Sequence, residues 1–304
     1  MASVAREPEA VNDSATPGAR RFGDPTYVHP RPGAWGRGLE RLLGCHAWSR
    51  LRRRVFARLP FVRLASDVRD VVYLSWLVPA ERVSALVPAG LRLQQRDGQA
   101  VLTVLSYRHG GFGPDVPHWL RRWLPSPLQS NWRLYLDDAP GVQGAVLFID
   151  NVMDSLAHIV AARLFSDALP AHLASGFEHR RVDDGYDTRI ESGSGSAPDL
   201  HCRVDDASVR ALPDDWARWF PDWPAAVAAL SLRECAVVRM VDRDGQVVAG
   251  IELPVDVERA VALTARAGSF RSRALQPLVG DAVPFCFAVP QVPFKVLSER
   301  VLAR

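Results

Sequence analysis

Lysine is almost missing from this 304-residue sequence: Lys295 stands alone, and 36 of the 37 basic Lys and Arg residues are arginine. An imine-forming lysine in the central part of the chain is thereby excluded. Cysteine is sparse as well. Cys45, Cys202, Cys235 and Cys286 lie far apart with no Cys-x-x-Cys pair, which argues against a zinc knuckle or a small disulfide framework and for reduced thiols. No stretch approaches the 18 apolar residues of a membrane-spanning helix. The first 34 residues lack the apolar centre of a signal peptide, so a cytoplasmic location is expected. A nucleophile elbow, a phosphate-binding loop, a dinucleotide fingerprint and His-Glu-x-x-His are all absent, and no metal or cofactor is expected.

What is present is the composition of an ordinary globular protein: 48% hydrophobic, 23% charged, net charge +3. A chain of this length can bury roughly 75% of its unfolded surface. Residues 1–34, rich in Ala, Pro, Gly and charge, read as a flexible tail. Over residues 35–64, Leu39, Leu42, Leu43, Trp48, Leu51, Val55 and Leu59 recur at helical spacing among Arg50, Arg52, Arg53, Arg54 and Arg58, predicting a basic amphipathic helical arm. Such a helix can lie on an anionic membrane or grip nucleic acid, but the commoner outcome is packing on its own domain with a solvated charged face. Nucleic-acid binding is not expected, because elsewhere acidic residues accompany the basic ones.

From residue 67 the pattern is that of strands. Asp67 to Trp76 is β-branched and aromatic. Asp97-Gly98, Asp183-Asp184-Gly185 and Asp242 to Gly245 each predict a hairpin turn, so antiparallel pairing should dominate. Val116 to Leu124 reads as helical, Asn131 to Asp137 and Ala145 to Ile149 as strands, and Asp154 to Phe165 as a helix capped by Asp154. Ser192 to Pro198 reads as a flexible loop, and Asp214 to Leu230 as one or two short helices. The sum is an α+β fold with an antiparallel sheet, curled or closed.

Several side chains invite a functional reading. Strand alternation puts Asn131, Arg133, Tyr135 and Asp137 on one face, meeting either water or a polar cavity. Arg163 falls on the apolar stripe of its helix; a charge carried inward must be paired, so either its stem snorkels outward or it meets Asp150 or a bound anion. His172 and His158 are candidate acid–base groups, though a lone histidine is more often structural. His109-Gly110-Gly111 is read as a glycine-rich turn after a strand.

The run from Asp70 to Arg108 (DVVYLSWLVPAERVSALVPAGLRLQQRDGQAVLTVLSYR) resembles the opening of the YqjF-type family of uncharacterised proteins. SNWRLYL (Ser130 to Leu136) is similar to that family's asparagine-x-arginine-x-tyrosine strand, and IDNVMDSLAHIVAARLFSDALPAH (Ile149 to His172) to its next strand and helix. The resemblance is firm over about residues 67–181. It implies the acetoacetate decarboxylase-like superfamily for residues 65–304: a curled antiparallel sheet or barrel, a few flanking helices and an internal ligand cavity. In the decarboxylases a pair of lysines follows the proline that matches Pro170, and one forms the imine; here Ala171 and His172 follow. The resemblance therefore implies a cavity lined by Asn131, Arg133, Tyr135, Asp150, Asn151, Arg163 and His172, suited to an anionic or carbonyl-bearing small molecule. It also implies that any chemistry proceeds without a Schiff base, for instance general acid–base chemistry on a β-dicarbonyl-type acid with His172 or Tyr135 moving the proton.

Overall fold

In a computed structural model, which describes residues 22–138, 142–243 and 245–302, two helices come first, α1 (Ala34–Leu43) and α2 (His46–Phe56). Then follow β1 (Leu64–Pro79), α3 (Ala80–Ser84), β2 (Gln95–Arg96), β3 (Gln99–Arg108), β4 (Gly113–Pro114), α4 (His118–Arg121), β5 (Leu128–Tyr135), β6 (Ala145–Met153), α5 (Leu156–Phe165) and β7 (His172–Leu173). The second half carries β8 (Gly176–Val182), β9 (Gly185–Glu191), β10 (Leu200–Asp206), α6 (Trp223–Ser231), β11 (Cys235–Arg239), β12 (Gln246–Glu252), β13 (Val261–Arg271), α7 (Gln276–Val279) and β14 (Phe285–Val301). Asp214–Arg218, just before α6, is a 3-10 turn.

All three expected hairpins form. At the first, Asp97 (φ 51°) and Gly98 (φ 73°) both take the left-handed conformation of a type I′ turn, whose twist matches that of the flanking strands. The sheet path runs β4-β1-β3-β5-β6-β11-β12-β14-β13-β10-β9-β8, with β2 added on β3 and β7 on β6. Two pairings, β6–β11 and β6–β7, are parallel, so the sheet is mixed rather than purely antiparallel. An extra pairing of β1 with β14 rolls it up. The path still has two ends, at β4 and β8, which makes it a curled sheet and not a closed barrel.

Curling puts the two largest parts of the core on opposite faces of the sheet. On one face Val72, Leu74, Trp76, Trp132 and Leu147 pack against Tyr186, Ile190 and Leu200 of the β8–β10 segment. On the other, Tyr73, Tyr135, Phe285 and Phe287 meet Trp216, Trp223, Val227 and Leu230 of the 3-10 turn and α6. Asp222 caps α6 by accepting the Ala225 N–H at 2.8 Å, satisfying one of the orphan amides of the first turn.

The remaining expectations are modified in three places. Residues 1–21 of the expected tail lie outside the described residues, but residues 22–31 pack on the domain: Tyr27 is buried and Phe22 meets Trp132 edge-on. The helical arm breaks at Gly44 into α1 and α2. α1 buries Leu39 and Leu43, whereas the inward residue of α2 is Arg52, ion-paired with Asp167 beside an Arg53–Asp167 pair at 2.6 Å. At α5 the N-cap position belongs to Ser155, because the Asp154 carboxylate accepts the Leu128 N–H instead.

Candidate functional site

Every position of β5 is buried, so its polar face does not meet water. The covering is α6 and the aromatic cluster around it, and the polar side chains beneath must satisfy one another. They do so in a chain. The Gln129 amide donates to Asn131 Oδ1 at 2.7 Å, and Asn131 Nδ2 donates to the Tyr107 hydroxyl at 3.2 Å. With its amide so oriented, Gln129 presents Oε1 to His109 Nε2 at 2.8 Å, which fixes the Nε2–H tautomer and leaves His109 Nδ1 to accept from Ser66 Oγ at 2.9 Å. Burial pulls the His109 pKa down to about 4, so the imidazole is neutral. The Tyr107 hydroxyl is pushed upward by the same cause.

Arg133 lies at the centre of this face. It is fully enclosed, and Nη2 donates to the Tyr135 hydroxyl (3.3 Å) and to the Leu230 carbonyl near the end of α6. Tyr135 OH lies 3.0 Å from the same carbonyl and 3.1 Å from Thr103 Oγ1. The guanidinium sits over the rings of Tyr73 and Tyr135 at 5.4 and 5.5 Å from their centroids. Burial opposes its charge, but Tyr135 and Tyr73 outweigh burial and the pKa moves up, so Arg133 is a buried cation.

A second guanidinium, that of Arg233, lies 4.7 Å from the Tyr135 centroid. Burial lowers its pKa, with the charge of Arg133 acting in the same direction. The Nε atoms of both arginines are buried without a hydrogen-bond partner, and neither guanidinium forms a salt bridge with a carboxylate among the described residues. Two neighbouring cations with spare donors and no carboxylate in salt-bridge contact among the described residues, Asp138 supporting the charge of Arg233 without touching it, are suited to an anion.

Asn151 joins this face, since it pairs in register with Asn131; its Oδ1 is buried and unpartnered. Asp150 does not. Between Trp132↔Asp150 and Arg133↔Phe148 the register slips by one residue at Ile149, a β-bulge that re-aims the side chains beyond it. Asp150 consequently points to the Trp132 side of the sheet, where it meets His172 (Oδ1 to Nε2, 3.5 Å) and accepts the Gly23 N–H at 3.1 Å. His172 Nδ1 lies 2.6 Å from Ser196 Oγ, which also accepts the Val28 N–H at 2.9 Å. The Ser192 to Pro198 segment is thus pinned at Ser196 by two hydrogen bonds, one buried and one part-buried. A cavity of about 20 Å³, room for roughly one water, adjoins Asp150, Asn151 and His172 beneath Gly23 and Pro25.

Arg163 is buried near this second group but spends its donors on backbone: Nε on Ala171 O (2.7 Å), Nη2 on Pro170 O (3.0 Å) and Pro25 O (2.9 Å). Tyr27 stacks on it at 5.1 Å. It holds the turn before His172 and the 22–31 segment in place. His158 is half-buried, hydrogen-bonded to Ser155 and stacked on Phe112. Lys295 lies in neither group. It lines a groove of about 370 Å³ with Ser66, Asp67, Asp115, His118 and Arg121, with its ammonium 3.7 Å from Asp115.

The expected residues therefore form two clusters, back to back across β5 and β6. Sequence reasoning missed Tyr73, Thr103 and Tyr107, although period-2 alternation along Val101, Thr103, Leu105 and Tyr107 carried the signal. It also missed Ser196 and Arg233, for which no local pattern spoke.

The rolled mixed sheet, the few flanking helices and the buried polar strand face define a protein of the acetoacetate decarboxylase-like fold. Solved structures bear this out. The enduracididine biosynthesis enzyme MppR with HEPES buffer bound superposes with a TM-score of 0.52 at 13% identity, covering 80% of this chain and 88% of that one, and MppR complexed with pyruvate gives the same score and identity over 80% and 91%. Acetoacetate decarboxylase from Legionella pneumophila matches with a TM-score of 0.51 at 12% identity, over 79% and 87%. The chain itself belongs to the DUF2071 family, described as an uncharacterized conserved protein, which matches residues 65–222 and bears out the YqjF-type resemblance. A comparison with the curated proteins found no match.

Proposed function

We propose that the protein binds a small carboxylate at the Arg133–Tyr135–Arg233 cluster and that it works without a lysine imine. The observation that carries this reading is the pair of neighbouring guanidiniums, Arg133 enclosed and Arg233 half-buried, with spare Nε–H donors and no salt bridge to a carboxylate among the described residues. The Leu230 carbonyl now takes the hydrogen bonds of both Arg133 and Tyr135; it marks the position a ligand carboxylate would occupy, with the end of α6 displaced. A ligand anion there would gain charge-assisted, bidentate bonds in a poorly hydrated site.

Thermal unfolding with pyruvate, acetoacetate and their uncharged amides tests the reading. Stabilisation by the acids and not by the amides is expected, reaching about 2.7 kcal/mol at a hundredfold excess over Kd, and Arg233→Gln should weaken it. If no carboxylate raises the midpoint, or if Arg233→Gln leaves the rise unchanged, the site is wrong.

One observation favours a second reading, a lyase or hydrolase acting on a β-dicarbonyl-type acid by general acid–base chemistry. Asp150 and His172 line the small cavity, and His172 reaches Asp150 through Nε2 and Ser196 through Nδ1, so His172 has both a carboxylate to orient it and a hydroxyl with which to exchange a proton. Any turnover of β-keto acids should then fall by at least about a hundredfold in His172→Ala. An unchanged rate removes the reading.

A further inference from the structure

The helical arm is mounted the wrong way round for a helix that serves its own core. α2 turns Arg52 and Arg53 inward, onto Asp167 and Asp242. Its apolar residues face outward: Leu51 is 53% exposed, Val62 beyond the helix 63%, and Val55, Phe56, Leu59 and Phe61 are exposed with them. An apolar surface of this extent marks an interaction site.

Charge identifies the partner. From Arg41 to Ser66 the chain contains seven arginines and not one acidic residue; apart from the ion-paired Arg52 and Arg53, all are exposed. Arg50, Arg54 and Arg58 thus rim the apolar residues of α2. The Asp115 N–H bonds Arg63 O at 2.8 Å, which brings the loop leading into α4 beside the end of the arm, and α4 with its next turn presents Trp119 and Trp123 to solvent. A second copy docked about a two-fold axis would set these arginines against one another. Residues 1–21, whose only large apolar side chains are Met1, Val4 and Val11, are too polar to cover the face. Arginine around exposed aliphatic and tryptophan side chains suits the boundary between lipid headgroups and acyl chains.

We propose that the arm is a docking surface for an anionic lipid bilayer. It lies in the plane of the interface with Leu51, Val55, Leu59 and Val62 dipping below the phosphates and the exposed arginines pairing with them. No helix among the described residues is long and apolar enough to cross a membrane, so the contact is peripheral.

Co-sedimentation of the full chain with vesicles of phosphatidylcholine alone, and of phosphatidylcholine mixed with phosphatidylglycerol, reads the proposal directly. Binding only to the anionic vesicles, weakening as salt rises, is expected. The triple variant Arg50→Gln, Arg54→Gln, Arg58→Gln should lose about a hundredfold in partitioning, at roughly fivefold per charge. Leu51→Ser with Val55→Ser should lose at least about tenfold through apolar area alone. All five positions are exposed, so unchanged circular dichroism and melting midpoints are expected in both variants. Failure of the wild type to sediment with anionic vesicles overturns the proposal, as does equal sedimentation of wild type and both variants. A concentration-dependent dimer abolished by Leu51→Ser with Val55→Ser, in a protein that ignores vesicles, assigns the face to a second copy instead and overturns it too.

Discussion

Acidification should strip stability from this protein through His109, and the amount can be worked out. The imidazole is enclosed between Ser66 and Gln129 and stacked on Phe112 at 4.2 Å, and burial sets its pKa at about 4 in the fold against about 6.5 in the unfolded chain. The unfolded state therefore takes up the proton first. His109 contributes its full stability above pH 6.5 and loses it as the pH falls from 6.5 towards 4. Integrated from pH 7.5 to 4.5, the loss is about 2.5 kcal/mol for this one group. Guanidinium chloride unfolding at a series of pH values, for the wild type and for His109→Gln, measures it as a difference between two pH profiles. The variant will be less stable throughout but should decline less steeply over that range. Because His158 and His179 are also held below their ordinary pKa by burial, the wild-type slope will exceed one proton, and only the difference belongs to His109. Parallel profiles would mean that the imidazole is protonated or hydrated in the fold, and the Ser66–His109–Gln129 chain as oriented would be wrong.

Asp167→Asn should cost about 3 to 5 kcal/mol in unfolding free energy, because it leaves the buried Arg52 cation without its carboxylate while Arg53 retains Asp242. Losing less than about 1 kcal/mol would show that Arg52 reaches water. Cys202, whose thiol burial pushes up to about 12, and Cys286, pushed up by the same cause, should resist alkylation at neutral pH until the protein unfolds, whereas the exposed Cys45 should react at once; peptide mapping after a timed pulse of iodoacetamide distinguishes them, and early labelling of Cys202 would show that the strand bearing it opens locally.

The hairpins were legible because their turns are local: Asp-Gly at positions 97–98 dictates the backbone by itself. So were the buried strands and the α6 region, where composition suffices. Site geometry was less so, and β6 shows why. Strict alternation along Val146, Phe148 and Asp150 carries Asp150 to the face of Arg133 and predicts one convergent pocket. The bulge at Ile149 breaks that count, and a bulge answers to pairing between strands, which no window along one strand contains. α2 defeats the reading differently. Its helical spacing was visible, but the direction it faces is set by Asp167 and Asp242, more than a hundred residues away.

The bulge at Ile149 also makes strand β6 a register of odd and even. Deleting that residue would do more than shorten the strand. It would remove the bulge itself and bring Phe148 and Asp150 into direct succession, so that Trp132 and Arg133 kept the partners they have and each end of the strand kept its compartment. Each compartment is one strand-thickness from the other, so they share a wall and cannot drift apart independently: a substitution that reshapes one must be absorbed by the backbone that shapes the other.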